Sequence, residues 1–205
     1  MHVVLLGDSI FDNASYTRGE PDVVSHLRRV LPKGARATLC AVDGATTAGL
    51  PTQVRRVPAD ATHLIVAIGG NDALQNVDLL ERRVSSTAEA LALFGDRVDA
   101  FERSYRAALA PVLARTLPTA VCTVYNGNLE PTRARIARVA LALFNDAIVR
   151  VGLEHQLPII DLRLVCSEPS DYANPIEPSG AGGLKIARAI AATVGEGLGS
   201  WRGAG

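Results

Sequence analysis

Five short runs of unbroken apolarity constrain this chain more than any other feature: "VVLLG" (3–7), "ATLCAV" (37–42), "HLIVAIG" (63–69), "TAVCTVY" (119–125) and "LPIIDL" (157–162). A strand with one wet face alternates apolar and polar residues, whereas a strand covered on both faces does not. The five runs therefore predict parallel strands sandwiched between helices. The intervening segments supply those helices. "PDVVSHLRRVL" follows the first run, and "VDAFERSYRAALAPVLART" sets Val98, Phe101, Tyr105, Leu109 and Val112 on one stripe. "TRARIARVALALFNDAIVRVG" is read with Ile136, Val139, Leu143, Ala147 and Val151 on its buried stripe, and Phe144 and Ile148 of "FNDAI" as core. Ser179 in "SGAGGLKIARAIAATV" predicts an N-cap opening the last helix. Residues 73–97 predict one or two short helices. Strand alternating with helix, without a repeat or a linker, predicts one doubly wound α/β domain over residues 1–205.

Lysine and arginine balance aspartate and glutamate at 21 each, which removes any electrostatic reason to expect a nucleic-acid partner. No run approaches the roughly 18 apolar residues of a membrane span. "MHVVLLGDSI" lacks the basic head and cleavage site of a secretory leader, and Cys40, Cys122 and Cys166 show no metal-type spacing. The expectation is a cytoplasmic protein without cofactor or metal, of open oligomeric state.

In such sheets ligands bind at the carboxyl ends of the strands. The first three runs exit there into "GDSI", "DGATT" and "GGND". These turns bring one hydroxyl, one open backbone N–H and one side-chain amide to a common edge, which is what acyl transfer requires. Ser9 is the candidate nucleophile, with its own N–H, the N–H of Gly44 and the amide of Asn71 as oxyanion donors. The serine sits in "GDSIF", outside the G-x-S-x-G elbow of α/β-hydrolases. No phosphate-cradling glycine loop follows the first strand, which argues against a flavin or nucleotide binder.

Ser9 in "GDSI", Gly44 in "DGATT", Asn71 in "GGND" and the closing "IEPSGAGGLKIA" fall in the order of the blocks of the SGNH (GDSL-type) hydrolases, which the chain resembles over nearly its whole length. The resemblance implies a flavodoxin-like three-layer α/β/α sandwich and serine-dependent hydrolysis of small acyl esters or thioesters. It departs at the last block, Asp-x-x-His in that family and Asn174-Pro175-Ile176-Glu177 here. Both the acid and the base are replaced.

None of the four histidines suits the vacant role. His2, His63 and His155 precede strands, at the opposite edge of the sheet, and His26 lies within the first helix. Glu177 is then the candidate base, with Asn174 expected to donate a hydrogen bond that orients its carboxylate. A glutamate at its ordinary pKa is about 2.2 units less basic than histidine, at most about 3 kcal/mol. Partial proton transfer holds the rate loss to about a hundredfold or less, and burial would recover part of it. Asp171 is a weaker substitute, Tyr172 is expected against the cleft, Asp8 and Asp12 in turn hydrogen bonds, Thr46 and Thr47 holding the Gly44 loop, and Asp72 as a helix cap. Pocket shape is expected from residues 73–97 and 126–132. The rival reading is a hydrolase-like fold that binds a small ligand or a partner without turnover.

Overall fold

A computed structural model describes residues 1–196. All five apolar runs form strands: β1 (His2–Gly7), β2 (Arg36–Leu39), β3 (His63–Ala67), β4 (Thr119–Cys122) and β5 (Ile159–Ile160). Every neighbouring pair is parallel, in the order β2-β1-β3-β4-β5. β1 takes in its whole run, whereas β2 to β5 stop short of theirs because the last residues of those runs turn away to build the carboxyl edge. The order reverses beside β1, and that switch point opens the crevice in which this class of sheet binds ligands.

Helices cover both faces. α1 (Val23–Val30), α6 (Leu162–Val165) and α7 (Gly180–Gly195) pack on one side; α2 (Leu50–Val54), α4 (Thr87–Leu113) and α5 (Pro131–Glu154) pack on the other. Between β3 and α4 lie α3 (Gly70–Leu74) and a 3-10 turn over Val77–Glu81. Along β1, Val3 and Leu5 enter the first core, Val4 and Leu6 the second, so both faces are dry and continuous apolarity is required. Two starts follow local chemistry. Asp22 accepts from the Ser25 N–H ahead of α1, and Ser179 accepts from the Gly182 N–H ahead of α7, as its sequence predicts. Cys40, Cys122 and Cys166 are buried free thiols.

Two expectations need correction. Residues 73–97 hold more than short helices: Ser86 caps the Glu89 N–H, and α4 then runs unbroken from Thr87. The predicted stripe on α5 is right only for Ala147 and Val151. Ile136, Val139 and Leu143 are exposed, while Ala137, Ala140, Leu141 and Phe144 turn inward. The sequence "ARIARVALALF" is apolar around much of the helix, so periodicity alone cannot select its buried face.

Candidate active site

The serine turn is built by backbone necessity. Gly7 has φ +142°, and a Cβ there would run into the carbonyl of Ala67. Glycine is the residue that lets β1 and β3 meet so closely before the chain turns. Gln53 of α2 then takes the place of a missing strand neighbour: its Oε1 accepts from the Gly7 N–H and its Nε2 donates to the Gly7 carbonyl, both at 2.7 Å. Asp8 Oδ1 accepts from the Ile10 N–H at 3.0 Å, and the Asp8 carbonyl accepts from Phe11 and Asp12. Ser9 sits at the apex.

The second turn is tied to the first, because Asp12 Oδ2 accepts from the Asp43 N–H at 3.0 Å and Tyr16 donates to Asp43 Oδ2 at 2.8 Å. Gly44 follows at φ +74°. Asp72, expected as a cap, instead holds this loop by accepting from the Thr47 N–H and, at 2.6 Å, from the Thr47 hydroxyl. One hydrogen of the Asn71 amide goes to the Ala45 carbonyl at 2.9 Å, which leaves the second free. Neither the Ser9 nor the Gly44 N–H meets a protein acceptor among the described residues. Three unspent donors therefore stand on the turns that leave the first three strands.

Across the crevice, Glu177 brings Oε1 to 3.1 Å from Ser9 Oγ, which donates to it. The loop that carries Glu177 is held from several sides. Tyr125 donates to the Ile176 carbonyl at 2.6 Å, Asn13 donates to the Pro178 carbonyl at 3.1 Å, and Ala173 donates back to the Glu177 carbonyl at 2.9 Å. Asn174 does not orient the carboxylate, contrary to expectation. Its Oδ1 accepts from the N–H groups of Ile176 and Glu177, both at 2.9 Å, closing a turn that fixes the backbone under the Glu177 carboxylate.

With a serine hydroxyl, unspent donors and a carboxylate on one edge, the sequence model of the GDSL-like lipase/acylhydrolase family matches residues 5–182. The chain belongs to that family. Comparison with curated protein sequences yields no match. The solved structures it resembles include an extracellular lipase from Streptomyces rimosus, at TM-score 0.70 and 15% identity over 96% of this chain and 99% of that one. A lipase from a goat rumen metagenome gives TM-score 0.71 at 19% identity, over 98% and 100% of the two chains. A phospholipase A1 from Streptomyces albidoflavus gives 0.66 at 17% identity, over 94% and 98%. At these identities the likeness speaks for the fold.

The histidines of this acylhydrolase stand away from the site. His2 contacts Asp60 and Thr38 at the amino edge, His63 contacts Thr62, His155 closes the end of α5, and His26 lies against α7. Asp171 is fully buried and ion-paired with Lys185 at 2.7 Å, and Tyr172 stacks edge-on against Tyr125.

A pocket of about 900 Å³, counted out to its mouth, leads away from Ser9 and Glu177. Its walls are apolar: Leu74, Val77, Leu80 and Phe94 on one side, Leu141 and Phe144 of α5 on the other. The expected segments, 73–97 and 126–132, contribute, and α5 adds a wall that the sequence did not suggest. The electrostatics are unusual for an acidic side chain. Glu177 is 6% exposed, and its Oε2 is buried without a partner. Loss of water, only partly offset by the Ser9 hydrogen bond and reinforced by the nearby Asp43 charge, pushes its pKa up to about 7. Asp8, also buried and with Oδ2 unpartnered, is likewise raised to about 7, chiefly by desolvation and further by the charge of Glu177.

Proposed function

We propose that this protein hydrolyses carboxylic esters or thioesters through an acyl-enzyme on Ser9, with Glu177 as general base. The observation that carries the proposal is the Ser9 Oγ to Glu177 Oε1 hydrogen bond at 3.1 Å, made by a carboxyl whose pKa stands near 7. At that value the glutamate matches an imidazole in basicity, and the penalty expected of an ordinary carboxylate largely disappears.

In the forward step Glu177 Oε1 takes the Ser9 proton as Oγ bonds to the substrate carbonyl carbon. The negative charge that develops on the carbonyl oxygen is met by the N–H groups of Ser9 and Gly44 and by the free hydrogen of the Asn71 amide. Collapse expels the alcohol or thiol, which receives the proton from the Glu177 carboxyl. Water then repeats the sequence in reverse roles and releases the acid. The apolar pocket suits the acyl chain. A histidine base needs a carboxylate to fix its tautomer. A glutamate has two equivalent oxygens and no tautomer to fix, so position 174 is free to serve the backbone.

The test is hydrolysis of a short-chain nitrophenyl ester from about pH 4 to about pH 9, in the parent, Ser9→Ala and Glu177→Gln. The proposal expects a rate that rises through an apparent pKa near 7 and is lost in both variants. Parent turnover no greater than that of Ser9→Ala, with Ser9 unlabelled by a fluorophosphonate, would leave the non-catalytic binding protein instead.

A further inference from the structure

Beside the pocket mouth lies an apolar surface with no partner among the described residues. On α5, Ile136 and Val139 are 49% and 66% exposed, and Leu143 continues their stripe. The same line of the helix ends at Arg150, which reaches Glu102 of α4 at 2.7 Å. Arg106 joins Glu154 at 2.6 Å, and the rings of Phe101 and Phe144 stand 5.2 Å apart. At that level the two helices are pinned. Toward their amino ends they part: a Cβ added at Gly95 would meet nothing, and Leu91 on α4 is 62% exposed. Partly exposed Val77 and Leu80 connect this fork to the pocket they line.

Along the amino-terminal half of α5 the exposed charge has one sign, and the acids Asp146 and Glu154 come only after it. Arg133, Arg135 and Arg138 are exposed, residues 131–145 contain no acidic residue, and none of the three joins an ion pair among the described residues. The facing turn and α4 carry mixed charges, with Glu89 folded back onto Ser85.

We propose that this surface docks on an anionic lipid interface, with the α5 stripe and Leu91 entering the headgroup boundary and the arginines meeting the lipid charges. Apolar residues flanked by arginine on one helix are the pattern that lies in such interfaces. The continuity of the patch with the pocket favours lipid over protein. A docked lipid surface delivers an acyl chain into the pocket without crossing water, whereas a protein seated there would stop the mouth. Two copies meeting symmetrically through this face would bring arginine against arginine. The proposal rests on the pocket being the acyl site described above.

The experiment is co-sedimentation of Ser9→Ala with vesicles of phosphatidylcholine alone and of phosphatidylcholine with phosphatidylglycerol. Using the silent nucleophile separates docking from chemistry, so failure of either reading shows independently. Binding is expected to the mixed vesicles and to fade with salt. Pairing Ile136→Ser with Val139→Ser should weaken it on the order of tenfold, and Arg135→Gln with Arg138→Gln at least as much. In a Ser9 background both pairs should leave soluble short-chain ester hydrolysis unchanged. Absence of binding to the mixed vesicles, or binding indifferent to both pairs, overturns the proposal. So does a dimer in analytical ultracentrifugation that the Val139→Ser change dissolves.

Discussion

Burial brings the Glu177 carboxyl into the range where an imidazole ordinarily titrates. Its carboxylate keeps one oxygen on Ser9 and leaves the other without a donor, so ionisation is costly until near neutral pH. Asp43 contributes to that cost through its charge. Asp43→Asn should therefore move the rising limb of the pH–rate profile to lower pH while keeping its height, measured with a soluble ester. Asn71→Ala removes the proposed oxyanion donor and should lower kcat by about 10²–10³-fold. Asn174→Ala should loosen the turn beneath Glu177 and lower kcat. Asn174→Asp keeps the accepting oxygen and the turn, and should retain much of the activity. That contrast in kcat separates backbone support from orientation of the carboxylate. The meeting of Ser9, Asn71 and Glu177 at one crevice was legible in the sequence, because Ser9 and Asn71 leave strand ends and Glu177 stands in the closing block. The role of Asn174 was not, since its partners are two N–H groups of its own turn and not the side chain three residues ahead.

Among the secondary-structure elements, the carboxyl edge is completed by side chains where strands run out. Gln53 clasps both backbone groups of Gly7, and Asn145 of α5 does the same for Val124, accepting from its N–H and donating to its carbonyl at 2.8 Å each. Both carboxamides are buried. Gln53→Leu would leave the Gly7 N–H unpaired in a dry site, while the Gly7 carbonyl keeps the Val42 N–H at 3.1 Å, and should cost about 1–3 kcal/mol in urea unfolding. It should also lower kcat, since the same clasp sets the Ser9 turn. The five strands were readable from continuous apolarity. These clasps were not, because their partners are backbone groups 46 and 21 residues away. In "FNDAI" the asparagine lies between core residues, and only its burial reveals the bond. The exposed face of α5 was misread for the opposite reason: Ile136–Val139–Leu143 and Ala137–Ala140–Leu141–Phe144 are both apolar at helical spacing, and only the position of α4 decides between them.

For the molecule as a whole, the two raised carboxyls make stability depend on pH in a fixed direction. Asp8 and Glu177 ordinarily titrate at 3.8 and 4.5, and both stand near 7 in the folded chain. Between those values the folded state holds protons that the unfolded chain has released, so stability falls as pH rises through that window and stays lower above it. Asp8→Asn and Glu177→Gln should each raise stability, and with it the melting temperature, above about pH 7, by up to about 3–4 kcal/mol, and change little near pH 4. Thermal melts at the two pH values give the comparison. The site is thus held at a cost the fold carries at neutral pH. The three cysteines have a practical consequence of their own. With Cys40 and Cys166 buried, and Cys122 sealed in the core with its thiol pushed far above the ordinary range, the chain offers maleimide reagents little native thiolate to attack. A single cysteine installed at an exposed position such as 139 would be labelled almost alone, and a polarity-sensitive dye there would report its surroundings directly.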